Sequence, residues 1–208
     1  MTTLYLVRHG ETSHNNEGIM QGRLDVPLNE TGIKQAELLA DALADEHFDA
    51  VYASPLKRAF QTAEILVTER EVDAIPHEAF KERSKGVLED EPREKRTRIL
   101  ENTPLNKSEW RPEDGENMED VGERVVPAVH DILDRHLGER VLVVAHGGVN
   151  RCLISYALSG TTIHAHKISQ DNTCVNVLHA GPSFWKIVRV NDSSHLRAVT
   201  GPAPVSSD

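Results

Sequence analysis

The sequence predicts a three-layer α/β/α fold: a mostly parallel sheet with helices on both faces and a small lid insertion. Short apolar runs such as residues 4–7 and 141–145 are typical of strands that are covered on both faces. They alternate with segments whose apolar residues recur at helical spacing. Because the chain has 208 residues, we expect a single domain over residues 1–191.

The first half of the chain alternates strands and helices. After the strand at 4–7, apolar residues recur at helical spacing over residues 33–43, and Thr31 is the predicted cap of that helix. Residues 50–53 form the second predicted strand. A second amphipathic helix covers residues 56–67, with Pro55 in its first turn, where a missing N–H costs little. This order predicts a strand-helix-strand-helix unit.

The second half continues the pattern and ends in a hairpin. A short third strand is predicted at Ala74–Pro76, and a longer helix at 118–132 contains Pro127, which should kink it or mark its start. Two runs after the strand at 141–145, residues 174–179 and 184–190, are strand-like. The Gly-Pro-Ser sequence between them is a hairpin signal.

Two segments do not fit this core. Residues 89–114 are dense in charge and contain three prolines, which predicts a lid over the end of the sheet. The basic residues of the lid alternate with glutamates, which favours the solvated face of a short helix over an anion site. Residues 192–208 have little apolar content, which predicts a mobile tail that does not pack.

Composition limits the partners and the compartment. The net charge of -10 disfavours nucleic acid and anionic membranes. Solubility and a salty cytoplasm both remain open as reasons for this acidity. No apolar run reaches the roughly 18 residues of a membrane span. The two cysteines form no CxxC pair and no basic, apolar leader is present, so we expect a cytoplasmic protein.

Two of the predicted strands end in a histidine followed by glycine. His9 and Gly10 follow the first strand, and His146 and Gly147 follow the strand at 141–145. Ligands of open parallel sheets bind beyond the carboxyl ends of the strands. Neighbouring strand residues point to opposite faces, so Arg8 and His9 converge only if the chain turns at Gly10. These strand ends are therefore the predicted active site.

The same residues open a longer series of motifs, which resembles the histidine phosphatase superfamily, also called the phosphoglycerate mutase-like family. The matching motifs, in chain order, are Arg8-His9-Gly10-Glu11-Thr12, Asn15, Gln21-Gly22, Leu28-Asn29-Glu30-Thr31-Gly32, Ala53-Ser54-Pro55-Leu56, Arg58-Ala59, Gln61-Thr62-Ala63, Glu82, Gly115-Glu116 and His146-Gly147-Gly148. They span nearly the whole chain. The resemblance implies an enzyme that transfers phosphoryl groups without a metal or other cofactor.

The residue types fit this chemistry. A neutral imidazole is a good nucleophile near neutral pH, which favours His9. Guanidinium groups match phosphate oxygens, so Arg8 and Arg58 would clamp the phosphoryl group. The resemblance implies that His146, either cationic or as a hydrogen-bond donor, stabilises the transferring group and that Glu82 protonates the leaving group. Taken alone, Glu82 is typical of an exposed surface residue.

Further polar contacts to the substrate are expected from the first loop and from residues near the two acid-base groups. The predicted binding residues are Asn15, Gln21, Gly22, Arg83 and Gly147. Glu11 and Thr12 could equally serve the turn itself. His164 and His166 have no further ligand at a zinc-like spacing, so no metal site is predicted.

We therefore expect a phosphomonoester hydrolase that acts on a small phosphorylated metabolite. The alternative is a phosphoglycerate mutase, which must exclude water from its phosphoenzyme and needs extra cations for a second anionic group. The lid is short and rich in proline, and Lys85 stands where the mutase branch has an aromatic residue, which together favour hydrolysis. A binding or regulatory module without turnover is the second alternative, and a homodimer is left open.

Overall fold

The structure, a computed structural model, describes residues 1–181 and 184–200. Its six-stranded sheet has the order β3-β2-β4-β1-β5-β6. The strands are β1 (Thr2–Arg8), β2 (Ala50–Ala53), β3 (Ala74–Pro76), β4 (Arg140–Ala145), β5 (Val175–Gly181) and β6 (Phe184–Asp192). The strands from β3 to β1 pair in parallel, while β5 is antiparallel to both β1 and β6. The predicted fold class is confirmed.

Helices cover both faces of this sheet. They are α1 (Ser13–Asn16), α2 (Glu30–Ala42), α3 (Lys57–Val67), α4 (Arg93–Glu101), α5 (Met118–Arg135), α6 (Gly147–Ser159) and α7 (Ser194–Thr200). Alternate residues of β1 point to opposite faces, as in any strand. Leu4 and Leu6 pack with α5 and α6, whereas Tyr5 and Val7 pack with α2 and α3. No helix within the described ranges has the length and apolar character needed to cross a membrane.

Three local predictions differ from the structure. Asn29, not Thr31, caps α2, because its side chain accepts a hydrogen bond from the Gly32 N–H at 2.8 Å. Pro55 lies before the cap of α3 instead of in its first turn. Pro127 does not mark the start of α5, which runs on both sides of it, and the alternative, a kink at Pro127, stays a prediction.

The predicted tail must be corrected at its beginning. Residues up to Asp192 extend β6, and Ser194–Thr200 form α7. His195 anchors this helix, since its Nε2 lies 2.9 Å from Thr173 Oγ1. The segment contains few apolar residues, so the sequence did not predict that it packs. In the structure a polar contact, from His195 to Thr173, holds it. Residues 201–208 of the predicted tail, and Pro182 and Ser183 of the predicted hairpin turn, lie outside the described residues.

The first part of the lid is joined to the loop that follows β1. The Met20 N–H donates to the Glu91 carbonyl and the Arg93 N–H donates to the Gly18 carbonyl, both at 2.9 Å. His14 Nε2 lies 3.2 Å from Asp90 Oδ1 beside these bonds. This backbone bridge places α4 next to the carboxyl end of β1.

Candidate active site

A cavity of ≈ 320 Å³, here called the phosphoryl pocket, opens beyond the end of β1 and the start of α6. It is lined by Arg8, His9, Asn15, Ile19, Met20, Gln21, Gly22, Arg58, Glu82, Lys85, Arg93, Arg96, Thr97, Gly147 and Arg151. Eight predicted site residues are in this lining. A ninth, His146, lies directly behind His9, with 5.1 Å between the two ring centroids.

His9 has the protonation state and orientation of a nucleophile. It is 3 % exposed, and its Nδ1 lies 2.6 Å from the Gly10 carbonyl oxygen. Because a carbonyl only accepts, Nδ1 carries the hydrogen and the lone pair remains on Nε2. Burial, reinforced by Arg58 and by His146, holds the pKa of His9 well below its usual value. The ring is therefore neutral at neutral pH.

The turn that carries His9 depends on a close backbone approach. A Cβ atom on Gly10 would lie 2.4 Å from the Gly32 carbonyl oxygen, so no larger residue fits without movement. The Gly10 N–H donates to Thr62 Oγ1 at 3.1 Å. Nearby, the Thr12 side chain caps α1, and Glu11 Oε1 accepts from Asn29 Nδ2. Glu11 and Thr12 thus serve the turn, which was one of the two interpretations of these residues.

The two predicted arginines are held by backbone carbonyls. Arg8 Nη1 donates to the Gln170 carbonyl at 2.6 Å, and Arg58 donates to the carbonyls of Leu24 and Gly22 at 2.7 and 2.8 Å. Burial lowers the pKa of both groups to about 10, so both stay charged at neutral pH. Within the described chain, each Nε is buried without a hydrogen-bond partner. A bound anion would satisfy both donors.

Without a ligand His146 is neutral, which of its two predicted forms favours the hydrogen-bond donor over the cation. Burial, then the nearby Arg58 and Arg8, hold its pKa well below the usual value. Its Nε2 lies 2.8 Å from Ser54 Oγ, which already accepts a hydrogen bond from the Leu56 N–H. If Ser54 donates its hydrogen to Nε2, Nδ1 carries the ring proton. In the described residues this buried Nδ1 has no partner, so a hydrogen bond to the transferring group is the role that fits.

Glu82 is partly buried and lines the phosphoryl pocket, so it is not an exposed surface residue. Its Oε1 accepts from the Arg83 N–H at 2.7 Å, and its Oε2 accepts from the Gly148 N–H at 3.1 Å. Burial alone would raise its pKa, but Lys85 and these two N–H donors outweigh it and lower the pKa to about 2. The carboxylate is therefore ionised in the ligand-free protein. The Gly148 N–H is also no longer available to a substrate.

The residues predicted to bind substrate differ in what they can offer. Asn15 Oδ1 accepts from the Thr12 N–H within the cap of α1. Gln21 is buried and its Oε1 has no hydrogen-bond partner in the described part of the chain. Gly22 has a φ of +53°, and its carbonyl holds Arg58. Gly22 is thus a scaffold for the arginine, while Gln21 has an unsatisfied polar group in the cavity wall.

Arg83 faces a different cavity. It is 3 % exposed and lines a second space of ≈ 90 Å³ behind Glu82, here called the cation lobe. The lobe is lined by Glu82, Arg83, Lys85, Arg96, Lys107, Ser108, Met118, Gly148, Arg151, Ala165 and His166. Glu82, Lys85, Arg96 and Arg151 also line the phosphoryl pocket. Arg83 lines the cation lobe and not the phosphoryl pocket, so its predicted contact with substrate would be made from the lobe.

Several residues that support the site were not predicted to do so. Ser54 and Thr62 lie within the matched motifs, so their positions could have been noticed from the sequence. Gln170 and Asn172 lie in the segment before β5, where no motif marks them, and they contact Arg8 and His9 from more than 160 positions away.

The histidines considered as a metal pair have other contacts. His166 Nδ1 lies 3.1 Å from Ser108 Oγ and 3.0 Å from the Ile163 carbonyl oxygen. Across residues 1–181 and 184–200, no three His, Cys, Asp or Glu side chains are grouped to hold a metal ion.

Comparison with known proteins agrees with this geometry. The family described as "Histidine phosphatase superfamily (branch 1)" matches residues 4–193. A metal-independent phosphoserine phosphatase of Arabidopsis thaliana is 36% identical over 208 residues, covering 96% of this chain and 85% of that protein. Phosphoglycerate mutase-like protein 4 of the same plant is 36% identical over 202 residues, covering 93% and 86%. The solved structure of Bacillus stearothermophilus YhfR superposes with a TM-score of 0.86 at 32% identity, covering 94% of this chain and 100% of that one.

Proposed function

The chain belongs to the histidine phosphatase superfamily, and from that premise we propose that it hydrolyses phosphomonoesters through a phosphohistidine at His9. One observation carries the proposal. A neutral His9, whose ring is fixed through Nδ1, lies beside Arg8 and Arg58, each with a buried Nε that has no partner in the described residues. This arrangement supplies a nucleophile and preorganised donors for the phosphoryl oxygens.

The reaction has two steps. Nε2 of His9 attacks phosphorus while the bond from phosphorus to the substrate oxygen breaks, and Glu82 gives that oxygen a proton. Water then attacks the phosphohistidine, Glu82 takes a proton from the water, and phosphate leaves as His9 becomes neutral again. Because Glu82 is ionised without ligand, its proton must arrive with the substrate, whose phosphoryl charge raises the pKa of the neighbouring carboxyl.

The phosphoenzyme can be tested by rapid quenching with a labelled substrate. We expect an acid-labile phosphoryl group on the wild-type protein, whereas His9→Ala should lose both the label and turnover. His47→Ala is a matched control, since His47 is exposed and, among the described residues, pairs with Asp49 alone. Turnover by His9→Ala, or a label that persists in it, would contradict the proposal.

The substrate carries, we propose, a second anionic group. The cation lobe supports this, because Arg83, Lys85 and Arg96 lie together beside the phosphoryl pocket. Burial lowers the pKa of each, Arg83 lowers those of Lys85 and Arg96 further, and the nearby Arg151 lowers all three. An anion would relieve that repulsion. Phosphoserine and phosphoglycerate, which occur in the names of the two relatives, both carry a carboxylate. A small phosphorylated acid is the substrate class that we favour.

The runner-up function is a phosphoglycerate mutase, and two observations favour it more than the sequence did. The lid is bridged to the first loop, and Arg93 and Arg96 line the phosphoryl pocket, so only part of the lid helix is a solvated face. Lys95, by contrast, is exposed and pairs with Glu91. Lys85 in place of an aromatic residue still favours hydrolysis.

Supplying 3-phosphoglycerate with catalytic 2,3-bisphosphoglycerate separates the two activities. Release of phosphate without 2-phosphoglycerate is the expected result. Isomerisation well ahead of phosphate release would favour the mutase. Absence of both, together with failure to label His9 from a panel of phosphorylated metabolites, would favour a binding module.

We also propose a cytoplasmic location. Cys152 and Cys174 are buried free thiols, which is compatible with a reducing compartment. A homodimer stays a prediction, to be measured by sedimentation of the purified protein.

A further inference from the structure

The segment just before β5 contacts the nucleophile from behind. Asn172 Nδ2 donates to the His9 carbonyl at 3.0 Å, and the same nitrogen lies 3.4 Å from Asn15 Oδ1. The Thr173 N–H also donates to the His9 carbonyl, at 3.3 Å. Asn172 does not line the phosphoryl pocket, so these contacts serve the protein and not a ligand.

The position of Asn172 is fixed by its neighbour. Thr173 is fully buried and has a φ of +54°, a conformation that is rare for a β-branched residue. Its Oγ1 donates to the Asn172 carbonyl at 2.8 Å and lies 2.9 Å from His195 Nε2 of α7. Backbone strain that is held by such contacts often accompanies functional sites. Here it directs both the Thr173 N–H and the Asn172 amide at one carbonyl.

We infer that Asn172 is a positioning residue for phosphoryl transfer, which rests on the proposed role of His9. A carboxamide nitrogen has two hydrogens, so it can hold the His9 carbonyl and Asn15 Oδ1 at the same time. It thereby joins the backbone of His9, next to the Gly10 carbonyl that fixes the His9 ring, to Asn15 of α1, which lines the pocket. Without it, Nε2 of His9 would lose its alignment with phosphorus.

Three variants test this inference with p-nitrophenyl phosphate and with an alkyl phosphate. Asn172→Ala should lower kcat about 10-fold to 100-fold and leave KM nearly unchanged, because misplacing a reacting group by about 1 Å costs on this order. Asn172→Asp keeps the shape but cannot donate, so it should lose as much. Asp171→Ala is the matched control. Asp171 is exposed, and within residues 1–181 and 184–200 its side chain bonds to Asn191 and Ser193 alone.

Two further readouts separate positioning from a general loss of structure. The loss should be equal for the aryl and the alkyl ester, since nucleophile alignment matters to both, and the single-turnover rate of His9 phosphorylation should fall with kcat. Unfolding midpoints of Asn172→Asp and Asp171→Ala should match. If Asn172→Ala is unstable, Asn172→Asp alone carries the comparison.

The inference is wrong if both Asn172 variants keep the kcat of Asp171→Ala, or if only their KM changes. Failure of the proposed function looks different. In that case His9→Ala itself would turn over substrate, whatever the Asn172 variants do.

Discussion

The phosphoryl pocket and the cation lobe are adjacent and both basic, yet they hold their charges differently. Arg8 and Arg58 are each fixed by main-chain carbonyls. In the described residues, the side chains of Arg83, Lys85 and Arg96 make no such hydrogen bond, although Arg83 is buried and the other two are half-buried. Fixed donors suit a reaction whose charge develops at defined atoms. Adaptable cations suit binding of a group that does not react.

Among variants that test this difference between the two cavities, we expect the largest change in rate from substitution of Glu82. Glu82→Gln should slow hydrolysis of an alkyl phosphate by about 100-fold to 10,000-fold, the usual range for a general acid. It should slow hydrolysis of p-nitrophenyl phosphate much less, because the p-nitrophenolate leaving group needs no protonation. Steady-state rates on the two esters measure the ratio. Equal losses would mean that Glu82 only organises the cations around it.

The second largest loss of rate is expected when Arg58, one of the fixed donors of the phosphoryl pocket, is removed. Arg58→Ala is expected to lower kcat about 100-fold to 1000-fold, as does loss of one oxyanion donor elsewhere. Arg58→Lys should recover little, since an ammonium cannot keep both carbonyl bonds and also reach the phosphate. Substantial recovery by lysine would show that charge alone, and not the fixed fork, is what the pocket needs.

A smaller and more selective effect is expected in the cation lobe. Arg96→Ala should raise KM about 10-fold to 100-fold for O-phosphoserine, the value of a hydrogen bond to a charged group, with little change in kcat. For O-phosphoethanolamine, which lacks the carboxylate, KM should hardly move. Lys95→Ala, one residue away on the exposed side of α4, is the matched control. Equal increases for both substrates would place Arg96 on the phosphoryl group.

The smallest predicted effect concerns stability. His9 and His146 are neutral when folded because their pKa values are lowered, so the unfolded chain binds more protons. The free energy of unfolding should therefore fall as pH drops below about 6.5, by up to about 1.4 kcal/mol per pH unit for each histidine. Urea unfolding at several pH values measures this slope. His9→Gln should flatten it and His47→Gln, an exposed control, should not.

Much of the pocket was predictable because its residues stand where regular elements begin or end. His9 and His146 follow strands, and Arg58 is in the first turn of a helix, so hydrophobic periodicity alone brings them to one edge of the sheet. Arg83 lies beside the phosphoryl pocket and not in its wall, which the sequence did not indicate. Its backbone N–H is used by Glu82, and nothing in local sequence tells to which side of Glu82 a long side chain turns.

Local sequence patterns could not predict the contacts that support His9 and Glu82. Asn172 meets His9 across 163 positions, and a single asparagine before a strand is typical of any turn. The ionisation of Glu82 likewise depends on the Gly148 N–H and on Lys85, which only the folded chain brings together. The sequence proposed which groups react, whereas the direction of their pKa shifts could be inferred only from the folded structure.

The hydrogen bond from Gly148 to Glu82 has a consequence for the order of events in a catalytic cycle. That N–H belongs to the first turn of α6, where a negative charge is favoured, so an empty site expels any proton that Glu82 holds. A bound phosphoryl group raises the pKa of Glu82, so the carboxyl can hold a proton only while the site is occupied. When phosphate leaves, the pKa falls again. In the proposed reaction, Glu82 would thus gain its proton only with substrate bound and lose it again when the product leaves.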